Sequence, residues 1–320
     1  MTPPLYRPML ATPWPEAFDD EAWQFEPKWD GIRALVGGDG RAVEIRGRRG
    51  DDITRRYPEI AGSLTFDRPI VIDGEIVALG DGGTPSFERL QRRIHVTDLQ
   101  RARSLAEDVP VTFVAFDLLH DGDPLVDAPL SERRGRLESH RAAVTPAVAG
   151  SGTALWAAVC ELGLEGVVAK RLDSPYRPGT RSPGWRKIAR IVRVRAVVGG
   201  FTPGEGGRSG TFGALLLGLW DGERLRYIGS VGTGFDEAGL RAIRSAVDSM
   251  ERTDSPFHPD DLPAGSRWVG PSLVAVVGIG GWTSAGRLRQ PRFLGFSSDP
   301  HDAATWQAEG PGAGAAVGRQ

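Results

Sequence analysis

The sequence predicts an α+β domain followed by a small β-barrel domain, on three observations. At 320 residues the chain exceeds what one hydrophobic core usually fills. Up to residue 190, β-branched strand segments alternate with capped helical segments. After Arg190 the texture changes to short apolar strands around one helix.

In the first domain, residues 21–37 and 41–46 run apolar or alternate on either side of Gly37-Gly38-Asp39-Gly40, which predicts a β-hairpin. Pro69 to Leu79 is a β-branched strand interrupted by Asp73-Gly74-Glu75. Ser86 caps a helix to Ile94, with Glu88 and Arg92 one turn apart. Val111 to Leu119 is another strand. Ser131 is expected to cap a polar helix reaching His140, and Gly152 to Leu162 forms an Ala-rich helix closed by Gly163. Glu165 to Lys170 reads as a short buried strand ending in a charge.

In the second domain, 192–201 and 213–220 are strands, and Asp221-Gly222 turns the latter into Arg224–Val231. Asp236 caps a helix to Met250 with Leu240, Ile243 and Val247 on one face. Val269 to Thr283 supplies further strand, and the whole fits an OB-fold barrel. The expected boundaries are 1–190, 191–302 and a Gly/Ala-rich tail, 303–320, which lacks periodicity and is expected to be disordered. No internal repeat is visible.

Composition narrows the function classes. The chain is 40% hydrophobic and 25% charged, which is ordinary globular composition. No apolar run approaches the roughly 18 residues of a membrane span. Residues 1–7 lack a basic region followed by an apolar one, so a cytoplasmic protein is expected. One cysteine, Cys160, excludes an intrachain disulfide and a Cys-based zinc site. The five histidines show no i, i+4 pair, which argues against a His-bound metal. The net charge of −2 does not by itself point to nucleic acid. More telling is that only Lys28, Lys170 and Lys187 among 39 basic residues are lysine. Lysine can be tuned into a nucleophile, whereas arginine stays a fixed cation.

The lysines stand in charged islands at the ends of apolar strands. These are Glu26 to Arg33, Asp73-Gly74-Glu75, Phe113 to Asp117, Glu165 to Lys170, and Trp185-Arg186-Lys187. Charges ending buried strands are costly unless paired or bound to something. Carboxylates, lysines, arginines and an aromatic aimed at one cleft would suit a nucleoside triphosphate and a divalent metal.

In order and spacing these islands resemble the nucleotidyltransferase motifs of ATP-dependent DNA ligases, in particular the stand-alone and end-joining-associated bacterial enzymes. Lys28-x-Asp30-Gly31-x-Arg33 is similar to motif I and Arg48-Arg49-Gly50 to motif Ia. Asp73-Gly74-Glu75 resembles motif III, Phe113 to Asp117 motif IIIa, Glu165 to Lys170 motif IV, and Trp185-Arg186-Lys187 the start of motif V. Gly199 to Gly204 and Val231 to Phe235 resemble the same subfamily's OB domain. The resemblance covers residues 7–300.

The resemblance implies a nucleotidyltransferase (ATP-grasp-like adenylation) domain followed by the OB-fold domain. It also implies three steps. Lys28 attacks the α-phosphate of ATP, AMP moves from Lys28 to the 5′-phosphate of a nick, and the 3′-hydroxyl displaces it. Mg²⁺ or Mn²⁺ is the implied metal. Nicked duplex DNA is the implied partner, in repair or recombination, with separate end-joining or repair proteins as further candidates; a monomer on the nucleoid with no membrane association is expected. Carried over residue by residue, Lys28 is the catalytic nucleophile, and Glu26, Arg33, Arg48, Glu75, Phe116, Lys170 and Lys187 bind cofactor and phosphates. Glu75 would contact the ribose and Phe116 would stack on adenine. Lys170 and Lys187 would sit on the α-phosphate, Arg33 and Arg48 on the nick phosphate. Glu75 and Glu165 are the implied metal ligands. A protonated lysine cannot attack, so Lys170, Lys187 and the metal are expected to favour a neutral amine at position 28.

The chain departs from the family at several positions. Ala189 stands where motif V has a second lysine, and alternation points Arg190 to the opposite face. Ser297 and Pro300 replace the arginine and lysine of motif VI, and Val276 and Gly278 replace glutamates. Fewer cations on the pyrophosphate side should slow self-adenylylation more than sealing of an already adenylylated nick. The alternative reading is a degenerate paralogue that binds nicked DNA or nucleotide with weak or absent self-adenylylation. RNA ligation or guanylyl transfer could share the scaffold, but the OB-domain segments favour the DNA branch. DNA contact is expected through phosphates, with Arg46, Arg48, Arg49, Arg55 and Arg56 the densest cationic group.

Overall fold

The computed structural model describes residues 5–80, 83–140, 142–258 and 262–313, and the chain divides into two units between Arg190 and Ile191. The first unit begins with strands β1 (Leu10–Pro13), β2 (Asp19–Pro27), β3 (Ile32–Gly38) and β4 (Val43–Gly47), then helix α1 (Pro58–Ser63) and β5 (Ile70–Ala78). Helices α2 (Phe87–Ile94) and α3 (Leu99–Asp108) lead to β6 (Val111–Asp121) and β7 (Asp123–Pro124). Helix α4 (Leu130–Leu137), β8 (Ala143–Val144), β9 (Val148–Ser151), α5 (Gly152–Glu161), β10 (Gly166–Arg171) and β11 (Arg181–Ala189) complete it.

These strands build two sheets. One has the order β1-β11-β10-β2-β9; the other runs β4-β3-β5-β6-β7, with β8 beside β6. Alternation along the second sheet sends Ala34, Val36, Ile70 and Ile72 into one core, and Leu35, Val71, Phe116 and Leu119 into another with Met9, Tyr176 and Trp185. The sheet is therefore apolar on both faces.

The expected single strand over 21–37 is divided. β2 belongs to the first sheet and β3 to the second, so the chain crosses between sheets at Lys28 to Gly31. A Cβ on Gly31 would collide with the Ile76 carbonyl oxygen, so only glycine lets the chain pass β5 this closely. The hairpin itself lies between β3 and β4, where Gly38 faces Val43.

One helix cap stands as expected, one moves, and one helix is not expected from the sequence. Ser86 caps α2 by accepting from the Arg89 N–H. Ser131, by contrast, lies inside α4, whose N-cap is Pro129. Its first N–H groups, on Leu130 and Ser131, donate to the Ser174 and Leu172 carbonyls, so no side-chain cap is required. The polar helix α3, capped by Asp98, has little apolar periodicity to betray it.

The second unit comprises β12 (Val192–Pro203), β13 (Phe212–Asp221), β14 (Arg224–Val231), helix α6 (Glu237–Asp248), β15 (Glu251–Arg252) and β16 (Arg267–Val269). It continues through β17 (Val274–Ile279), β18 (Gly281–Trp282), β19 (Leu288–Arg289), β20 (Arg292–Ser297) and α7 (Trp306–Glu309). Long β12 pairs along one side with β13, and on the other first with β17 and then with β16. β20 adds to β17, and β14 to β13, so among the described residues the pairings form an open path. Asp236 caps α6, which buries Leu240, Ile243 and Val247.

The tail does not begin at 303. Ala304 is 2% exposed and its carbonyl accepts from the Trp220 N–H at 2.9 Å. Thr305 caps α7, Trp306 meets Trp282 edge-on and lies under Arg226, and Glu309 binds Arg195 at 2.6 Å. One half-buried aromatic and one ion pair anchor a segment whose Gly/Ala composition conceals them. Residues 314–320 of the expected tail lie outside the described residues.

Candidate active site

The cross-strand register of the first sheet sets one wall of a cleft. Glu26, Val168 and Lys187 stand opposite one another on β2, β10 and β11, and Gln24, Lys170 and Trp185 form the next row. Residues two apart share a face, so both rows point the same way. Arg186, between them, points to the other face, where its guanidinium lies 3.8 Å from the Trp14 ring and 4.3 Å from that of Trp23. The second sheet supplies Arg33, Glu75 and Phe116; Arg33 and Glu75 are direct partners across β3 and β5. Lys28 sits at the crossing, its N–H donating to the Gly166 carbonyl at 2.8 Å.

All eight residues assigned to catalysis or nucleotide binding line this cleft: Glu26, Lys28, Arg33, Arg48, Glu75, Phe116, Lys170 and Lys187. Glu165, assigned to metal, forms an ion pair with the Lys28 amine. Trp29 and Val168, inside two of the motif islands, also line it, as does Arg181, which no sequence signal singles out. Arg190 is elsewhere, donating to the Gly163 and Leu164 carbonyls just after α5. Of the arginine group expected to meet DNA, Arg46 pairs with Glu44, and Arg56 donates to the Ile94 carbonyl.

Beneath the cleft the charges are paired. Lys170 Nζ donates to Glu26 Oε2 at 2.7 Å and to the Phe116 carbonyl at 3.0 Å, and lies 4.3 Å from the Phe116 ring centre. Burial works against both charges of this pair, lifting the Glu26 carboxyl and lowering Lys170, while their mutual attraction opposes it. Gln24 and Arg134 add hydrogen bonds to Glu26.

Arg33 donates from Nε and Nη2 to the two oxygens of Asp73, each at 2.6 Å, and lies 4.5 Å over Phe116. Tyr176 donates to the same carboxylate at 2.6 Å and accepts from the Met9 N–H at 2.7 Å. Burial alone would lower the Arg33 pKa, but Asp73, with smaller help from Tyr176 and Glu75, raises it. Arg33 and Phe116 are thus held by this chain's own side chains. Asp73 belongs to a motif island in the sequence, but nothing local there pairs it with an arginine 40 residues away.

Two groups at the cleft are electrostatically poised. Burial pushes the Glu75 carboxyl up to about 8, against the pull of Arg33 and Lys28. Lys187 is lowered by burial first and then by Lys28 and Arg181, with Arg48 adding to the repulsion and Glu165 opposing it. Among the described residues no three His, Cys, Asp or Glu side chains gather as a metal cage. The cleft offers an amine, further cations, an aromatic floor and two carboxylates, a set matched to a phosphoanhydride attached to a planar base.

In the second unit, Ser297 donates to Asp299 at 2.8 Å, and Asp299 accepts from Arg195 at 2.8 Å. A Cβ on Gly278 would press on the exposed side chains of Ile191 and Leu294, so a glutamate there would require them to shift.

Residues 8–189 match the model of the ATP dependent DNA ligase domain, and residues 208–300 match that of the ATP dependent DNA ligase C terminal region. The multifunctional non-homologous end joining DNA repair protein LigD of Mycobacterium tuberculosis is 39% identical over 304 residues, 91% of this chain and 38% of that protein. The chain thus spans about two fifths of the length of the LigD proteins it matches. The crystal structure of the ligase domain of that LigD superposes with a TM-score of 0.55 at 35% identity, covering 94% of this chain and 98% of the domain. A mycobacterial DNA ligase D complexed with ATP and MES matches with the same score, identity and coverage. By the family model over residues 8–189 and this likeness, the chain belongs to the ATP-dependent DNA ligases.

Proposed function

We propose that this chain seals nicks in duplex DNA through an AMP carried on Lys28, in end-joining repair like that named for its LigD relatives. The observation that carries the reading is that all three lysines, Lys28, Lys170 and Lys187, line one cleft. The Lys28 amine attacks the α-phosphorus, and pyrophosphate leaves with the electron pair of the broken Pα–O bond. Lys187 faces the transferring phosphate, and Lys170 braces the floor from below through Glu26 and Phe116. Attack requires a lone pair on the Lys28 nitrogen, so its ion pair with Glu165 must open and a proton pass to solvent before the step.

A divalent cation fits that requirement. Glu165 offers a carboxylate at the cleft, and without a three-residue cage the phosphate oxygens of ATP would complete the coordination shell, as Mg²⁺ or Mn²⁺ accepts. Such an ion would neutralise phosphate charge and take the Glu165 oxygen from Lys28. Glu75, held neutral by burial, suits hydrogen bonding to a ribose hydroxyl better than metal binding. Arg48 is exposed and lacks an ion-pair partner among the described residues, which suits it to the nick phosphate. Arg33 acts instead as a brace under Phe116.

The open sheet of the second unit with α6 against it is read as an OB-fold, with 1–190 as the adenylation domain and the OB-fold domain beginning at residue 191. No described helix is long and apolar enough to cross a membrane, and a monomer acting on cytoplasmic DNA with separate repair proteins is the arrangement proposed.

The test is incubation with α-labelled ATP and Mg²⁺, reading covalent label on the denatured chain beside Lys28→Ala. Label that vanishes in the variant, with sealing of a nicked duplex by the wild type, supports the reading. An unlabelled wild type overturns it.

A further inference from the structure

Resting on the ligase reading, we propose that Arg181 holds the leaving pyrophosphate during self-adenylylation, a task this chain cannot give to residues 297 and 300. The cations of the cleft fall into two groups. Lys28, Arg33 and Lys170 are each matched by a carboxylate, on Glu165, Asp73 and Glu26. Arg48, Arg181 and Lys187 line the same cleft and form no ion pair among the described residues. Burial first, then Lys28 and Arg181, and least Arg48 disfavour the ammonium form of Lys187, with Glu165 opposing them, so Arg181 lies close enough to the lysine to be felt there. A cluster of cations without carboxylate partners at the mouth of a cleft attracts an anion of high charge. Pyrophosphate is the most highly charged species that the reaction makes.

Among the three, Arg181 is the one without another task. Lys187 faces the α-phosphate and Arg48 is placed for the nick. Arg181 opens β11 in register with Leu10 of β1, and its guanidinium donates to the Ala11 carbonyl, which fixes the side chain at the cleft. Its remaining N–H groups can meet two phosphate oxygens in a planar fork. In the second unit, Ser297 and Asp299 are tied to Arg195, and positions 297 and 300 carry no positive charge.

The step balances within the ligase chemistry. The Lys28 Nζ–Pα bond forms and the Pα–O bond to the β-phosphate breaks. The electron pair leaves on pyrophosphate, and the amine proton goes to solvent. Arg181 meets the charge that develops on the departing oxygen.

Arg181→Gln is the test, with Arg181→Lys as the conservative variant and Arg103→Gln, an exposed change on α3, as the control. Expected are label uptake slowed about a hundredfold and a pyrophosphate requirement for reversal of the lysyl-AMP raised about tenfold. Sealing of a nick already bearing 5′-adenylate should stay within about twofold of wild type, and the lysine variant should recover part of the loss. An unchanged pyrophosphate requirement, or an equal loss in sealing the adenylated nick, overturns the assignment. Because Arg181 is exposed, an unchanged melting temperature should accompany these effects. A wild type that takes no label removes the ligase reading and this inference together, whereas a labelled wild type with an unaffected Arg181→Gln removes only the inference.

Discussion

Replacing Asp73 by asparagine strips the charge from a carboxylate that is fully buried and serves three donors, two on Arg33 and one on Tyr176. Breaking a buried ion pair by removing one partner typically costs about 3–5 kcal/mol, because the other charge is left uncompensated. Here the orphaned partner is Arg33, whose side chain keeps 19% of its exposure at the cleft, so water can reach it. The expected cost is therefore lower, about 2–3 kcal/mol. The reverse change, Arg33→Met, strands Asp73 at 0% exposure with only Tyr176 as a donor, and should cost the full range of about 3–5 kcal/mol. The ordering follows from exposure alone: the arginine variant must be the less stable. Thermal unfolding reads it directly, since about 1 kcal/mol moves the melting temperature of a unit this size by about 2–4 °C. Urea titration of both single variants and the double variant then gives the coupling energy. An Asp73→Asn cost below about 1 kcal/mol, or an Arg33→Met variant as stable as Asp73→Asn, would refute the reasoning.

Two further outcomes are expected. Glu75 carries a carboxyl raised by burial to about 8, against an ordinary value of 4.5. Across that window the unfolded chain loses this proton while the folded one keeps it, so folding stability falls as pH rises and levels off above about 8. Glu75→Gln should therefore gain in melting temperature relative to wild type between about pH 5 and pH 8 in metal-free buffer; a difference that does not vary with pH contradicts the burial argument. Trp306→Ala should destabilise the second unit by about 2–3 kcal/mol, somewhat below a fully buried aromatic, because the ring is half-buried. Limited proteolysis should then cut within 303–313, and an unaltered digest would mean the segment is not anchored by this ring.

Much of the site is legible in the amino-acid sequence alone. β-branched runs and capped helices locate many of the longer elements, though not β11 or α3, since alternation and caps are local properties. The motif islands contain every cleft residue assigned to catalysis, because strand-end charges among apolar neighbours announce themselves. The elements that differ from expectation have a common cause. The crossing at Lys28 to Gly31 reads as the middle of one strand, because 21–37 stays apolar across it and only the passage beside Ile76 requires the break. Ser131 reads as a cap, yet carbonyls of Leu172 and Ser174, more than 40 residues on by their hydrogen bonds, satisfy the helix start instead.

By itself, then, the sequence determined the order of elements, the chemistry of the three lysines and the family they resemble. Which charges are matched to one another was decided only by tertiary structure. Asp73 claims Arg33, Glu26 claims Lys170 and Glu309 claims Arg195, while Arg48, Arg181 and Lys187 are left facing the cleft without carboxylates among the described residues. Periodicity tells which face a side chain takes, but its partner depends on register between strands distant in sequence, and that register is set by how the two apolar faces pack.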